Sequence, residues 1–593
     1  MLKIATIITI AFCLSLASAL SFSGNGSGTE SDPYQITTVE QLQEMNDDLS
    51  AHYILMNDID ASDTRNWNVG DHDNNAATAD VAMGFEPVGG TAHIEGFQGT
   101  LDGMGFEIKR LYINTPRNSY GSGLFSHIYN VDVIRNLRIS EAEIKAGDYV
   151  GILAGEAFCN KNNSTTVENC TVDGKVTGND ELGGLIGSVY SGGGTIKIAN
   201  CSSSVEITCS WYGGGLIGYS KGSVIQIIDS ESSSFVKGKN HIGGFVGTNS
   251  RSIISNCASY GSVFGNEDVG GFVGTNKGII SDCDSFGDVS AEEKHGGGFC
   301  GCNGISLNSI KIDIIKIYHC RSFGDVISDK FDGLSIGGFC GLNIAVDSVV
   351  AIIEECFCEG NAIGYESIGG FCGVNDADFN EGDAYIINCY STGKAEGYYY
   401  TAGFCGELLC FLHKQISEIR NCYSIGSVGN NYSGFLSRSH GGAGRKITNC
   451  YYDINKTDAT SSVGGTPKTT AEMMMQSTFE NWDFDNIWCI VEGQTYPQLQ
   501  HFVDCDTLVS VPEIIYEGNI NIFPIPVSDI IKIYSDVKII RNVRIINILG
   551  NIVFQIDVNG KSIEIPFEGF PAGCYLVQVM SENKLLNKYI IKR

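Results

Sequence analysis

Between about residues 150 and 450, short stretches of alternating apolar and polar residues recur in a fixed order. A glycine motif such as Ile242-Gly243-Gly244-Phe245-Val246-Gly247 comes first, and an Ile-x-Asn-Cys motif such as Ile254–Cys257 follows it. Successive glycine motifs lie 27 to 33 residues apart, with one interval of 40. A period of this length predicts one supersecondary unit stacked on copies of itself.

Side-chain parity indicates what the unit is. In Cys257-Ala-Ser259-Tyr-Gly261-Ser-Val263 the small or apolar residues alternate with others, which predicts a strand with one buried face. Ile254 lies three residues before Cys257 and so has the opposite parity. A bend at Asn256 would bring both side chains inside, because Asn tolerates the left-handed backbone region.

Each unit then holds three short strands: a Gly-Gly-Phe strand, an Ile strand that ends at Asn, and a Cys strand. Three strands and three corners predict one coil of a right-handed parallel β-helix, and hence an all-β protein. Ten coils would form a rod section of about 48 Å at the usual strand spacing. An antiparallel blade or sandwich would need two-residue hairpin turns, which are scarce here.

The repeated Gly-Gly-Phe-Val-Gly and Asn-Cys-x-Ser-x-Gly patterns resemble the GLUG repeat of bacterial surface proteins. The resemblance covers residues 151–450, about half of the chain. It implies a surface location and a β-helical stalk or binding rod, and it supplies no catalytic residue.

Residues 1–19 are typical of a signal peptide, with Lys3, an apolar core and a cleavage site near Ala19. Residues 20–150 are predicted to form an N-terminal cap and the first coils. Within them, Thr37-x-x-Glu40 predicts a capping box and a helix to about Leu49. Strands are predicted at 53–59, 97–101 and 108–113.

Three places in the chain contain residues that could be catalytic or bind a metal, and at each of them a structural role is favoured. The oxygens from Asp71 to Asp80 could bind Ca²⁺, but an EF-hand's turn Gly and closing Glu are absent, which favours a solvated insertion. Leu101-Asp102-Gly103 is similar to pectin-lyase-like β-helices, some of which use Asp with Lys or Arg. Lys109 and Arg110 follow, although the glycines favour a coil corner. His295-Gly-Gly-Gly298 is one copy of the repeat. The sequence therefore predicts no catalytic, cofactor-binding or metal-binding residues.

Nine of the 22 cysteines occupy the Asn-Cys position, and Cys300, Cys340, Cys372 and Cys405 follow Gly-Phe. Cysteines in adjacent coils would be close enough for disulfides. Ser230 fills the same position in one coil, which favours buried, reduced thiols instead. No paired CxxC spacing suggests zinc.

After residue 450 the repeat decays. Thr469-x-x-Glu472 predicts a second capping box and a helix to about Gln476. The aromatic residues that follow predict a cap over the end of the solenoid at 451–504, and 505–518 is predicted to be a linker. These aromatic and apolar residues are Trp482, Phe484, Trp488, Tyr496 and Leu499.

Residues 519–593 contain seven short apolar stretches at regular spacing, which predict a small immunoglobulin-like β-sandwich. The stretch resembles the type IX secretion sorting domain of Bacteroidetes. Pro524-Ile-Pro526, Asn547–Gly550, Gly573-Cys-Tyr575 and Lys588–Lys592 carry the resemblance. It implies transport across the outer membrane by the type IX machinery, removal of the domain, and frequent anchoring to the cell surface.

The formal net charge of −30 argues against nucleic acid as a partner, because phosphate-binding surfaces need excess Lys and Arg. No stretch after the signal is long enough for a transmembrane segment. The sequence predicts a secreted or outer-membrane surface protein that binds or displays a glycan or protein ligand without catalysis. The alternative is a polysaccharide lyase or glycoside hydrolase on the same scaffold.

Overall fold

The computed structural model describes residues 22–70, 81–90, 96–115, 120–304, 314–328, 330, 334–377, 382–411, 415–428, 432–505, 520–523, 530–535, 539–547, 552–567, 569–571, 573–581 and 584–592. From residue 34 to 468 the chain winds through three parallel sheets, and each coil pairs with the coils before and after it. The predicted parallel β-helix is confirmed. The signal peptide and the insertion at Asp71–Asp80 lie outside the described residues.

The first sheet contains the strands that end at the Asn corner. Its 14 strands are Tyr34–Ile36, His52–Leu55, Thr100–Asp102, Val133–Arg135, Ser164–Glu168, Thr195–Ala199, Ile225–Ile228, Ile253–Ser255, Ile279–Ser281, Ile314–Tyr318, Val350–Glu354, Asp383–Ile387, Ser417–Arg420 and Arg445–Thr448.

The second sheet runs from the Asn corner to the Gly-Gly corner. Its 29 strands are Ile59–Asp60, Glu107–Lys109, Tyr112–Asn114, Tyr120–Ser122, Arg138–Lys145, Asp148–Val150, Thr171–Thr177, Asp180–Gly183, Ser202–Thr208, Trp211–Gly214, Glu231–Ser232, Phe235–Lys237, Asn240–Gly243, Ala258–Ser259, Val263–Gly270, Asp284–Ser285, Val289–Gly297, Arg321–Ser322, Val326–Ile327, Leu334–Gly337, Phe357–Cys358, Ala362–Ile363, Glu366–Gly369, Tyr390–Ser391, Ala395–Glu396, Tyr399–Ala402, Tyr423–Ser424, Tyr451–Asp453 and Thr466–Lys468.

The third sheet leads from the Gly-Gly corner back towards the first. Its 11 strands are Phe125–Tyr129, Ala154–Asn160, Ile186–Gly192, Ile217–Lys221, Val246–Ser250, Val273–Asn276, Cys300–Gly304, Cys340–Ala345, Cys372–Ala377, Cys405–Cys410 and Leu436–Gly441.

The bend predicted at the Asn of each Ile-x-Asn-Cys motif is present. Asn200, Asn256 and Asn421 have φ values of 52°, 55° and 53°, all in the left-handed region. Ile254 and Cys257, on either side of one such bend, are both buried. The corner predicted at Asn256 from the alternation of side chains is therefore confirmed.

The Gly-Gly-Phe motif is a corner and not the strand that the sequence predicted. Strand Asn240–Gly243 ends within the motif, and strand Val246–Ser250 starts after it. A Cβ atom at Gly244 would lie 2.2 Å from the carbonyl oxygen of Gly271 in the next coil. The second glycine is needed because neighbouring coils approach too closely there for a side chain.

Phenylalanines from this corner stack through the interior. Phe245, Phe272 and Phe299 are fully buried, with ring centroids 4.7 and 4.8 Å apart. The stack continues through Phe339, Phe371, Phe404 and Phe435. One coil spacing equals the distance of favourable ring stacking, so each Phe packs directly on the next.

A buried ladder of asparagines lies at the end of the third-sheet strands, and the sequence analysis did not predict it. Asn249 donates to Asn276 at 2.9 Å, and Asn276 donates to Asn303 at 2.9 Å. Asn343 and Asn375 extend the ladder. Each amide satisfies its neighbour, which makes buried polar groups tolerable at this corner.

All 18 cysteines that the described solenoid contains are buried and free. Burial raises the pKa of the Cys302 and Cys358 thiols well above the usual value, so these groups stay protonated and unreactive. A disulfide that the sequence analysis missed joins Cys489 to Cys505. Cys505 is therefore linked covalently to the segment that contains Cys489, and it is not the first residue of a linker.

The N-terminal helix is shorter than predicted and starts one residue later. Thr38, and not Thr37, is the N-cap, and its side chain accepts a hydrogen bond from the Gln41 amide. The α-helix covers Val39–Gln43 and continues as the 3-10 helix Glu44–Asp47. Asn and Asp residues from position 46 onward compete for backbone hydrogen bonds and shorten it.

The predicted strands of this region have different bounds. The stretch 53–59 is split into His52–Leu55 and Ile59–Asp60, and 97–101 is reduced to Thr100–Asp102. The stretch 108–113 breaks at Arg110, whose φ is 62°, into Glu107–Lys109 and Tyr112–Asn114. A further 3-10 helix covers Ser62–Asn66.

Residues 469–505, the flank segment, pack against the side of the solenoid and not over its end as the sequence predicted. The capping box at Thr469 and Glu472 is confirmed, although its helix covers only Thr470–Met473, followed by the 3-10 helix Gln476–Thr478. Strands Trp488–Cys489 and Gln498–Leu499 pair antiparallel. The aromatic residues of the segment bury a ladder on the outside of four coils, made of Phe357, Tyr390, Tyr423 and Tyr451.

The C-terminal residues form the predicted small β domain with seven strands in two antiparallel sheets. One sheet contains Ile520–Phe523, Ile530–Ser535 and Ser562–Pro566, and the other contains Ile552–Gly560, Ile540–Asn547, Gly573–Ser581 and Lys584–Lys592. Residues of both sheets share one core. The Tyr575 hydroxyl donates to the Pro571 carbonyl at 2.7 Å, an arrangement typical of immunoglobulin-like sandwiches.

Substitution of Asn256 tests the corner. Asn256→Gly should cost at most about 1 kcal/mol, since Gly accepts positive φ but loses the side-chain bond to Asp229. Asn256→Val should cost about 1–2 kcal/mol more, because a β-branched residue is strained there. Denaturant unfolding of both variants gives the comparison, and equal costs would contradict the corner.

Alkylation tests the state of the cysteines. In denaturant without reductant, every solenoid thiol should react, and reductant should release only Cys489 and Cys505. Intact mass counts the adducts. A deficit of more than about half of the expected adducts before reduction would instead show disulfides between coils, because burial cannot protect a thiol in an unfolded chain.

Candidate functional site

Two columns of residues precede the Gly-Gly corner, and we call them together the aromatic edge. The outer column consists of Trp211, Asn240, Glu267, Lys294, Leu334, Glu366 and Tyr399, paired in register from coil to coil. The inner column consists of Tyr212, His241, Asp268, His295, Ser335, Ser367 and Tyr400, with φ between 48° and 61°.

Aromatic rings stand at one end of this edge. Trp211 is 42% exposed, although large apolar side chains are usually covered. Tyr212 stacks on the imidazole of His241 at 4.9 Å and meets the ring of Tyr219 edge-on at 5.4 Å. The Trp211 indole is tilted against both of these neighbours, with its centroid 6.4 Å from the Tyr212 ring and 6.2 Å from the His241 ring.

Aromatic rings also stand at the other end. Tyr398 and Tyr399 are 64% and 48% exposed, and Tyr365 stacks on Tyr398 at 5.4 Å. Tyr400 lies under the guanidinium of Arg438 at 4.6 Å. Trp211 and Tyr399 are six coils apart in the same column, which corresponds to about 29 Å at the ordinary strand spacing of about 4.8 Å.

Polar groups fill the middle of the edge. Asp268 is buried between two imidazoles, with Oδ2 2.9 Å from His241 Nδ1 and Oδ1 2.7 Å from His295 Nδ1. The Thr275 hydroxyl donates to the same carboxylate at 3.0 Å. Burial opposes ionisation, but the bonds from the two histidines outweigh it and hold the pKa of Asp268 well below its usual range.

A half-buried glutamate lies one coil before Trp211. Glu181 occupies the inner column, beside Asp180 and Tyr212. Burial, with smaller effects from Glu156 and Asp180, raises its pKa to about 7. Glu181 is therefore partly protonated near neutral pH and can both donate and accept hydrogen bonds.

The arrangement of rings and polar groups is suited to binding. Stacking rings at both ends and hydrogen-bonding groups between them suit an extended polar chain with apolar faces. The hydrogen bonds from both imidazoles hold the pKa of Asp268 well below its usual range, which leaves it no proton to donate as a general acid.

The structure separates the candidates for lyase chemistry. Asp102 belongs to the first sheet and pairs with Arg135 at 2.8 Å. Lys109 and Arg110 lie at the second sheet, where Lys109 pairs with Glu107 at 3.0 Å and Arg110 pairs with Asp60 at 2.5 Å. Each charge has its own partner, and Asp102 also accepts from the Met104 amide as a corner residue.

Of the motifs singled out in the sequence, only His295 contributes to the aromatic edge. Trp211, Tyr212, Tyr399 and Tyr400 were not predicted from the sequence. A signal was present, because one residue separates each aromatic pair from the Gly-Gly or Ala-Gly motif that follows it, so that both pairs have the same offset. Alignment of the repeats on that motif would have placed them in one column.

The destination of the protein follows from its C-terminal region. Residues 521–593 match the family described as "Secretion system C-terminal sorting domain". These residues are a secretion sorting domain. The protein is therefore a secreted surface protein, and the sorting domain is the part that engages the type IX secretion system. Throughout the described ranges, each helix is too short and polar to cross a bilayer.

Relatives of known name match limited parts of the chain. Halomucin of Haloquadratum walsbyi is 34% identical over 178 residues, which are 29% of this chain and 2% of that protein. A "Putative Gly-rich membrane protein" of Evansella cellulosilytica is 40% identical over 74 residues, 12% of this chain and 8% of that protein. The chain thus spans less than a tenth of either relative.

One solved structure aligns with most of the chain. It is a crystal structure from Bacteroides ovatus titled "putative immunoglobulin A1 protease", and the alignment covers 81% of this chain and 94% of that one. Sequence identity is 16% and the TM-score is 0.31. Similarity at this level supports no inference about function.

Stability as a function of pH tests the environment of Glu181. A carboxyl whose pKa is raised on folding stabilises the protein fully below its unfolded pKa of about 4.3, and this contribution is lost as the pH rises through about 7. Glu181→Gln should therefore stabilise the protein by about 1–3 kcal/mol at pH 8 and have little effect at pH 5.

Denaturant unfolding at both pH values gives the measurement. Glu206→Gln is the matched control, since Glu206 is exposed and pairs with Lys175 at 3.0 Å. Equal effects of Glu181→Gln at pH 5 and pH 8 would contradict the raised pKa.

Proposed function

We propose that this protein is a surface adhesin or ligand-display rod that binds an extended neutral polysaccharide along the aromatic edge, without catalysis. The observation that carries the proposal is the register of Trp211 and Tyr399, two exposed rings in one column on either side of a stretch that is polar except for Leu334. The resemblance of the repeat to GLUG proteins, which are surface rods, agrees with this role.

The chemistry of the edge favours a polysaccharide. Sugar rings present C–H faces that pack on Trp and Tyr, and hydroxyl groups that bond to carboxylates, amides and imidazoles. Asn240, Glu267 and Glu366 supply such groups in the outer column. A rod of stacked coils holds them at fixed intervals, as a polymer with a regular repeat requires.

The charge of the edge favours a neutral ligand. Glu267 and Glu366 are acidic members of the outer column, and Lys294 is its cation. Asp180 and Glu181 add acidic groups one coil before Trp211. A polymer of acidic sugars would be repelled by this surface and by the net charge of −30. This disfavours the alternative function of a lyase acting on acidic polysaccharide.

Binding to immobilised polysaccharides tests the proposal. The purified protein should bind at least one of a panel of neutral polysaccharides (mannan, xylan, galactan and a β-glucan) and should not bind polygalacturonate. Trp211→Ala and Tyr399→Ala should each weaken binding by about tenfold or more, which corresponds to about 1.4 kcal/mol of stacking.

Phe411→Ala is the control, because Phe411 is also exposed but follows a strand of the third sheet. An equal loss with Phe411→Ala would contradict the assignment of the edge. Shortening of any polysaccharide during incubation would favour the enzymatic alternative.

A further inference from the structure

The column at the Asn corner changes its chemistry in three consecutive coils. Asp282, His319 and Glu355 occupy it there, with φ values of 54°, 52° and 50°. In later coils the column is a ladder of amides, in which Asn421 donates to Asn388 at 3.2 Å. Asn suits this backbone best, so a run of Asp, His and Glu calls for another explanation.

The flank segment adds a second histidine to these three coils. His501 Nε2 lies 3.0 Å from Asp282 Oδ1, and His319 Nδ1 lies 3.5 Å from the same oxygen. One ligand atom from each of the three residues falls within 4.8 Å of the others. On its other side, His319 Nε2 lies 3.1 Å from Glu355 Oε2.

The backbone on both sides of His501 is held by contacts of the neighbouring residues. The preceding Leu499 pairs with Trp488, and the Cys489–Cys505 disulfide follows four residues later. The neighbouring Phe502 ring lies 5.3 Å from the Phe357 ring and under the guanidinium of Arg321 at 5.0 Å. The proximity of His501 to Asp282 and His319 is therefore built into the packing of the segment.

An acidic groove leads to the same place. It has a volume of about 480 Å³ and is lined along the Asn corner by Asp229, Glu231, Asp282 and Asp284, among other residues. A groove lined by one sign of charge concentrates ions of the opposite sign. Cations entering it would reach Asp282 at its end.

We propose that Asp282, His319 and His501 bind one divalent transition-metal ion of the zinc class. Two imidazole nitrogens and one carboxylate oxygen are a ligand set typical of Zn²⁺, with a fourth position left to water. Glu355 is the positioning residue, since a metal-binding histidine ordinarily donates its other N–H to a carboxylate.

The imidazole rings of His319 and His501 now lie parallel, with centroids 3.9 Å apart and an interplanar angle of 11°. Their in-plane lone pairs converge on one ion only if one ring tilts. His501, 38% exposed, is the ring on the surface segment and the one that moves at least cost.

The ion would act as a clamp between the flank segment and the solenoid. Asp282 and His319 belong to solenoid coils, and His501 belongs to the stapled segment that precedes the sorting domain. Binding only to the docked arrangement stabilises that arrangement by mass action. Release of the ion would loosen the segment while leaving the coils paired.

Titration with ZnCl₂ and CoCl₂ tests the proposal on the full-length protein after treatment with EDTA. Calorimetry should show one Zn²⁺ site per chain, and Co²⁺ should give visible bands without the near-ultraviolet bands of thiolate ligands. His319→Ala and His501→Ala should lose this site, and Glu355→Gln should bind about 10–100-fold more weakly. Zn²⁺ should also slow amide hydrogen exchange in residues 490–504 of the wild type alone.

His440→Gln is the control, because His440 is an exposed histidine at the third sheet and should leave affinity unchanged. Absence of Zn²⁺ binding by the folded wild type would overturn the proposal. Retention of full affinity by His501→Ala would do the same, as would thiolate bands with Co²⁺, which would place the ion on the cysteines.

Discussion

The parallel pairing of each coil with the next in unchanged register is the constraint on which this structure depends. Because the register repeats, a side chain stands directly above its counterpart in the coil before. Inside the rod this produces continuous stacks of Phe, Asn and Cys. Outside the rod, residues far apart in sequence fall into one line, as Trp211 and Tyr399 do.

The same constraint explains why the corners accept few residue types and the outer faces accept many. At Gly244 the next coil lies 2.2 Å from where a Cβ would be, so only glycine fits. At Asn256 the backbone must be left-handed, which Asn tolerates. Side chains on the outer surface are less restricted, and even left-handed positions such as His319 and Tyr212 carry residues other than Asn or Gly. Variation in those columns produced the aromatic edge and the cluster around His319.

The sequence predicted the fold well because its signals were local and repeated. Ile254 and Cys257 could both be buried only with a bend at Asn256, and seven apolar stretches predicted the C-terminal sandwich. Prediction from the sequence failed where the structure depends on contacts between residues that are distant in sequence. No spacing indicates that His501 meets Asp282, or that the aromatic residues after 478 pack on Tyr390 and Tyr423 along the flank. The Gly-Gly-Phe motif was predicted to be a strand because the alternation of side chains along the chain does not show how closely two coils approach each other.

We propose that one edge of the rod binds an extended chain over about 29 Å between Trp211 and Tyr399. The most direct test is the affinity of the wild-type protein for oligosaccharides of increasing length, prepared from whichever neutral polysaccharide it binds. We expect affinity to rise with length until the oligosaccharide spans both rings and then to level off. An affinity already at its maximum for a disaccharide would contradict it.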